Sequence, residues 1–344
     1  MGGGASVYTE PREVDTKYFP EFVKALPNQR GKVVAVTGCT TGTGYILART
    51  AARLGATVIM LNRDSSRADT ALRSLENDTN KYEQFDHVTC DLTDFESVRS
   101  AAAYVNKKYA DRGLDVLCCN AGVMALRDEA TGDGYDVQMQ TNHLSHFLLV
   151  KELYPLLLKA ESIRGEARVV THSSFARMRP KKKVESKYYG KNGGDLGGDG
   201  ASMFLGGARW VRYNQTKLAN CLFAQALGDR FANLQTKQGK NMKSVVCAPG
   251  LVATNLQVAT ALDGGFHSSW IMRFSQSRED GTMPLAYSCF HTAACNMDFY
   301  EPTNNMRMVG DVKKYELEKH CKTEEGKGQL WEHAEAAVGK FDVN

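Results

Sequence analysis

The chain has 344 residues, of which 42% are hydrophobic and 24% charged, enough apolar content to bury a core. A net charge of +4 is too small for a protein whose affinity comes from nucleic-acid phosphates. No apolar run approaches the ~18–20 residues needed to cross a bilayer, and the nine cysteines show neither CxxC pairs nor histidines at metal-ligand spacing, so no metal site is expected.

The first residues, Met1-Gly2-Gly3-Gly4-Ala5-Ser6, fit the N-myristoylation pattern, with Gly2 as acceptor and Ser6 at the favoured position; a flexible glycine-rich start is the plainer alternative. One acyl chain gives only marginal anchoring, and neither a cysteine nor a basic cluster lies nearby to add a second signal. The same residues lack the apolar core of a secretory signal. The expectation is a cytoplasmic protein with at most weak, peripheral membrane association. Residues 1–30 read as an extension and residues 31–344 as one domain.

Short runs rich in β-branched residues then recur at Val33–Thr37, Thr57–Leu61, His87–Cys90, Val116–Cys119, Arg168–Thr171 and Ser244–Cys247. Amphipathic stretches separate them at Gly44–Leu54, Arg67–Leu75, Phe95–Ala110, Tyr135–Leu158 and Gln215–Leu234. Strands alternating with helices predict an α/β fold, a doubly wound parallel sheet of Rossmann type with helices on both faces. Its ligand crevice is expected beyond the carboxyl ends of the strands. The adjacent Cys118 and Cys119 fall in a strand and read as small buried thiols in a reducing compartment.

The stretch Lys181–Arg212 stands apart. It begins basic and continues with eight glycines between Gly190 and Gly207, too long for an ordinary connection. Seven basic residues between Arg177 and Lys191 face only Glu185, which reads as a solvated loop. The insertion is expected to be a lid over the substrate or a docking surface, the lid being favoured by its place before Tyr213.

The turn after the first strand carries the first chemistry: Thr37-Gly38-Cys39-Thr40-Thr41-Gly42-Thr43-Gly44. Gly38 suits a sharp turn, Gly42 lets backbone approach a pyrophosphate, and Gly44 lets the helix pack closely on the sheet. The helix N-terminus offers free N–H groups to the anion. At the end of the second strand Asn62-Arg63 stands where NAD enzymes place an acid for the ribose hydroxyls. A neutral residue followed by a guanidinium, with hydroxyls at Thr40 and Thr41, points to the 2′-phosphate of NADP(H). Asp64 would take the acidic role only if the strand ran further.

In its TGxxxGxG spacing the chain resembles the classical short-chain dehydrogenase/reductase family, and further marks follow in order. Asp91-Leu92 lies where the family contacts adenine. Cys119-Asn120-Ala121-Gly122 is similar to its NNAG, with a cysteine for the first Asn, and Thr141-Asn142-His143 resembles the segment of the catalytic Asn. Ser173-Ser174, Tyr213-Asn214-Gln215-Thr216-Lys217 (YxxxK) and Pro249-Gly250-Leu251-Val252-Ala253-Thr254 (PGxVxT) complete the set, which spans residues 37–254. The segments THSS, NHLSHFLL and YNQTKLAN and the tail Leu330-Trp331 look like the retinol dehydrogenase branch, which includes the WW-domain oxidoreductases. Ser145 stands there for a glycine, Thr216 for a serine and Thr43 for an isoleucine, and the 39-residue separation of Ser174 and Tyr213 is longer than the family's.

The resemblance implies NADP(H) held by Gly38, Thr40, Thr41, Gly42, Thr43, Gly44, Asn62, Arg63, Asp91, Leu92, Asn120, Ala121, Gly122, Pro249, Gly250, Val252 and Thr254, with Tyr213 and Lys217 also touching it. It implies that Tyr213 exchanges a proton with a carbonyl or alcohol substrate, Ser174 holds the substrate oxygen, Lys217 bonds the nicotinamide ribose, and Asn142 positions a water in a proton relay. A phenol of pKa about 10 is a poor acid–base at neutral pH. Lys217, one helical turn on, favours the phenolate, as does an oxidised nicotinamide. His143 and His146 read as helix-packing residues and His172 as a buried, hydrogen-bonded one. The substrate is expected to be a hydrophobic small molecule, walled by Lys181–Arg212 and Thr254–Gln276 with Phe204, Leu205, Trp210, Phe266 and Trp270 as apolar surface. A silent dinucleotide-binding scaffold and a reductase of tetrapyrrole-type substrates remain alternatives, and a homo-oligomer is compatible with the fold class.

Overall fold

The structure is a computed structural model and describes residues 11–180, 184–202, 206–265, 271–304 and 306–343. Gly2, Lys181–Lys183, Phe204, Leu205, Phe266 and Trp270, all named above, lie outside the described residues.

In chain order the elements are α1 (Phe19–Lys24), β1 (Val33–Thr37), α2 (Gly42–Arg53), β2 (Thr57–Asn62), α3 (Ser66–Thr79), β3 (Phe85–Thr89), α4 (Phe95–Lys108) and β4 (Val116–Cys119). There follow α5 (Val137–Met139), a π-helical turn (Gln140–Leu144) continuing into α6 (Ser145–Arg164), β5 (Ala167–His172), α7 (Ala208–Gln238) and β6 (Met242–Cys247). The chain ends with α8 (Asn255–Leu262), α9 (Arg278–Phe290), β7 (Phe299–Asn304), β8 (Val309–Tyr315) and α10 (Glu324–Val338). The strands form a single sheet in the order β3-β2-β1-β4-β5-β6-β7-β8. All neighbours are parallel except β7 and β8.

Successive β1 residues point to opposite faces, and both faces are covered. Val33 and Ala35 join the core formed with α4, α6, α7 and α10, whereas Val34 and Val36 join the core formed with α2, α3 and α9. This is why the strand is an uninterrupted apolar run. Chain order reverses direction between β1 and β4, so the crevice expected for a ligand opens beyond Thr37 and Cys119. Cys118 and Cys119 are buried in this strand.

The basic stretch after β5 requires a correction. Arg177 is not solvated: its side chain is fully buried and forks onto Glu301 Oε1 and Oε2 at 2.7 and 2.9 Å, with Glu318 at 2.9 and 3.0 Å. The guanidinium also covers the Phe299 ring. A basic residue next to a run of lysines looked like part of it, because its carboxylate partners lie more than a hundred residues away. The described part of the insertion is anchored by a few buried residues, while most of residues 191–200 is exposed. Val184, Tyr188, Tyr189 and Leu196 are buried in the main core, and Asp128 accepts the N–H groups of Leu196 and Gly198 at 2.8 Å. Its last residues, from Ala208, already belong to α7.

The extension also has a fixed seat. Asp280, in the first turn of α9, accepts the backbone N–H groups of Lys17, Tyr18 and Phe19, each at 2.9 Å. Val14 packs against the small cluster of Ala253, Ala261 and Met272.

Removing one partner of a buried ion pair strands the other charge and costs about 3–5 kcal/mol. Arg177→Met is therefore expected to lower unfolding free energy by about that amount in urea titration, because Glu301 is left buried. Arg307→Met, which removes a partly exposed partner of the same carboxylates, should cost far less. A loss below about 1 kcal/mol for Arg177→Met would contradict this account of the cluster.

Candidate active site

The glycine turn between β1 and α2 has the conformations its sequence implied. Gly38 and Gly42 have φ of +73° and +62°, where a side chain is strained. A Cβ on Gly44 would lie 2.1 Å from the Gly38 carbonyl oxygen and 2.5 Å from Asn120 Nδ2, so only glycine admits this approach. Thr41, at the N-cap of α2, makes no side-chain capping bond. The first N–H groups of the helix therefore remain for an anion.

Asn120 closes the floor beneath the turn. Its Nδ2 donates to the Thr37 carbonyl at 2.9 Å and to Gly38 O at 3.3 Å. Its Oδ1 accepts from Thr43 Oγ1 at 2.9 Å and lies 3.0 Å from His172 Nδ1. Thr43, which stands where the family has isoleucine, thus gains a polar partner. The N–H groups of Asn120 and Ala121 both donate to Thr37 Oγ1, at 3.0 and 2.9 Å. Sequence reasoning gave Thr37 no task of its own. Its position opening the glycine motif was the available signal.

On β2, Asn62 is buried and accepts the Cys39 N–H through Oδ1 at 2.7 Å. Arg63 is exposed, and its guanidinium has no hydrogen-bond or ion-pair partner among the described residues. Asp91 folds onto Thr93, accepting from its N–H and hydroxyl. The Leu92 carbonyl accepts from Ser145 Oγ at 2.7 Å, giving the serine in place of glycine a bond across the site.

The opposite wall is the Pro249–Thr254 loop. Thr254 Cγ2 approaches to 3.3 Å of where a Cβ on Gly42 would stand, bringing this loop over the glycine turn. Gly250 has φ +73°, and a Cβ there would meet the Met308 carbonyl oxygen at 2.2 Å. Gln276 fixes the loop by donating to Pro249 O at 2.8 Å and accepting from the Gly310 N–H at 3.0 Å. A glutamine far from any motif gave no sequence signal for this role.

The four side chains expected to react come from three elements. Tyr213 and Lys217 project from α7, Ser174 follows β5, and Asn142 lies in the π turn. A π turn widens the helix and is common at functional sites. Asn142 Oδ1 accepts the Val123 N–H at 2.8 Å, while its Nδ2 donates to Val123 O at 2.9 Å and Thr216 Oγ1 at 3.0 Å. Thr216 Oγ1 in turn donates to the Tyr213 carbonyl at 2.8 Å. Lys217 Nζ donates to His172 O at 3.1 Å and lies 5.7 Å from the centre of the Tyr213 ring. Trp210 stands edge-on to Tyr213 with ring centres 5.9 Å apart, and its Nε1 donates to Gly265 O.

Burial dominates the electrostatics. It pushes the Tyr213 phenol up to about 12, with the Ser174 hydrogen bond pulling in the other direction. It lowers Lys217 to about 8. Burial thus favours the protonated phenol over the phenolate. Three buried histidines, two of them beside this lysine, are held neutral. Burial takes His143 down to about 3, His146 to about 4 and His172 to about 3, and the Lys217 charge adds to the last two. His143 packs edge-on against Tyr189 and Phe223, as expected. His146 and His172 are hydrogen-bonded within the site.

The residues fit a dinucleotide: a cradle that a Cβ would fill, an open helix N-terminus, and a free cation beyond the second strand. Among the described residues no group of three or more His, Cys, Asp or Glu side chains is placed to hold a metal ion.

Comparison with known proteins agrees with this geometry. The short chain dehydrogenase family model matches residues 32–188. A short-chain dehydrogenase/reductase of Armillaria gallica is 34% identical over 68% of this chain and 70% of its own length. Human retinol dehydrogenase 14 is 28% identical over 90% of this chain and 87% of its own length. The crystal structure of an uncharacterized protein from Mycobacterium paratuberculosis superposes with a TM-score of 0.69 at 28% identity, covering 93% of this chain and 98% of that one.

The histidine shifts make stability depend on pH. An unfolded histidine titrates near 6.5. Between that value and the lowered folded values the unfolded chain binds protons that the folded one does not, so stability falls as pH drops below about 6.5. Each histidine contributes roughly 2 kcal/mol of this loss between pH 7 and pH 5. In urea titrations at the two pH values, His143→Leu should show a smaller difference than wild type by about that amount. An unchanged difference would mean that His143 is not held neutral. The chain belongs to the short-chain dehydrogenase/reductase family of oxidoreductases.

Proposed function

We propose that the chain is an NADP(H)-dependent oxidoreductase that interconverts a carbonyl and an alcohol on a hydrophobic small molecule. The observation that carries this reading is a buried phenol with a buried ammonium 5.7 Å from its ring centre and the Ser174 hydroxyl acting on it. A protein that only bound a dinucleotide would have no use for an acid in that position.

In this reading Gly38–Gly44 and the N-terminus of α2 hold the pyrophosphate, Arg63 holds the 2′-phosphate, and Asn120–Gly122 with Pro249–Thr254 enclose the nicotinamide end. The bound nicotinamide supplies or accepts the hydride. Ser174 orients the substrate oxygen by donating its hydroxyl proton. Tyr213, kept protonated by burial, delivers its proton to that oxygen in the reductive direction. Lys217 is the nearby cation that stabilises the phenolate left behind. The apolar surface formed by Met124, Ala125, Ala176, Trp210 and Leu256 around the Tyr213 ring supports a hydrophobic substrate. We read residues 31–344 as the catalytic domain and the cytoplasm as its site of action; acylation of Gly2 would add only weak membrane contact. No helix among the described residues is long and apolar enough to cross a membrane.

Two measurements test the reading. Tyr213→Phe removes the acid alone, so NADPH affinity should persist while kcat falls by about 10²–10⁴-fold. Retention of more than about a tenth of the rate would remove Tyr213 as proton donor. For cofactor choice, charge-assisted bonds from Arg63 imply roughly a ten- to hundredfold preference for NADPH over NADH in kcat/KM. Arg63→Ala should erase most of it, and a wild type that prefers NADH would overturn the assignment.

A further inference from the structure

We propose that His146 is a positioning residue, which ties the carbonyl of the catalytic Asn142 to the cofactor-binding turns through Thr37. The proposal deepens the functional reading above and rests on it for the role of Asn142.

The polar groups of Asn142 are largely committed. Its side-chain oxygen holds the Val123 N–H, and its side-chain nitrogen serves Val123 O and Thr216 Oγ1. The backbone carbonyl is the group of Asn142 that remains to meet a water or another donor in the site. That carbonyl sits inside the π turn, where the helical ladder is already displaced: the Ser145 N–H bonds to Gln140 O, five residues back. A carbonyl in a displaced ladder needs another constraint to hold its direction, and His146 Nδ1 lies 3.1 Å from it.

The tautomer of His146 follows from its surroundings. Thr37 Oγ1 already accepts the N–H groups of Asn120 and Ala121. Its own proton has two acceptors in reach, Cys118 O at 3.4 Å and His146 Nε2 at 2.9 Å, and the shorter contact is the better hydrogen bond. With Nε2 accepting, a neutral ring carries its proton on Nδ1 and donates to the Asn142 carbonyl. His146 is 1% exposed and Thr37 0%, so water does not compete for either end. The resulting chain runs from the loop after β4, through the end of β1, across the imidazole to the carbonyl of Asn142. The nitrogen spacing of an imidazole spans this gap, and an aliphatic residue in its place would leave the Thr37 hydroxyl and the carbonyl without these partners.

Two experiments bear on this. In protein with isotope-labelled histidine at neutral pH, long-range proton–nitrogen correlation spectra should show His146 as a single neutral tautomer protonated on Nδ1. A ring protonated on Nε2, or a mixture of tautomers, would overturn the proposal, whatever the enzyme's substrate. The second experiment follows NADPH oxidation with 4-nitrobenzaldehyde as probe and NADPH affinity by fluorescence titration. His146→Leu should lower kcat about tenfold or more, while KM and the NADPH dissociation constant stay within about twofold; His146→Gln, which keeps a donor and an acceptor, should recover part of kcat. Equal kcat in wild type and His146→Leu, or a loss of NADPH affinity matching the loss of rate, would sink the positioning role. Failure of the functional reading is seen separately, as a Tyr213→Phe variant that turns over like wild type.

Discussion

Asn120 offers one amide to four groups on three parts of the chain, and the geometry of the site descends from that. Two carbonyls at the end of β1 take its nitrogen protons, which fixes the direction of its oxygen. The oxygen then receives Thr43 from α2 and faces His172 from β5. The glycine turn and the strand that leads to Ser174 are thereby set against each other by one planar group. The close approach also explains Gly44, since any side chain there would collide with this amide and with the Gly38 carbonyl.

The second organising constraint is the scarcity of water around Lys217. Three neutral histidines, a protonated phenol and a buried ammonium occupy a region where burial is the largest influence on every one of them. Keeping the imidazoles uncharged leaves Lys217 as the positive charge that Tyr213 experiences at close range. A protonated His146 or His172 would add like charge beside the lysine. His146 and His172 therefore serve the site through hydrogen bonds, and His143 through packing.

Much of this architecture was legible in the sequence, for a physical reason. The inner strands β1, β2, β4, β5 and β6 are buried on both faces and so read as largely apolar runs, and the backbone demands of the turn leave glycines at fixed spacing. The motifs marked Asn142, Ser174, Tyr213 and Lys217, and the fold brings all four together. What the sequence concealed was held together by long-range polar contacts. β7 contains Pro302 and the buried Glu301, whose charge is matched by Arg177, so it does not read as a strand. α9 carries Gly281 and Pro284, and the glycine is required because Val252 of the Pro249–Thr254 loop packs against it. α10 holds two glycines and is started by the Thr323 hydroxyl accepting the Gly326 N–H. Arg177 read as solvated for the same reason, and the tasks of Thr37, His146 and Gln276 depend on partners that no local pattern names.

The constellation around Tyr213 and Lys217 is proposed to perform redox chemistry on a carbonyl. The most direct measurement is oxidation of NADPH by the wild-type protein across a panel of hydrophobic aldehydes and ketones, beside Lys217→Met under the same conditions. The account predicts turnover of at least one compound, with NADPH as the better cofactor, and loss of that turnover in Lys217→Met. A wild-type protein that binds NADPH but reduces none of them, or a Lys217→Met variant that reduces them as well as wild type, would contradict it.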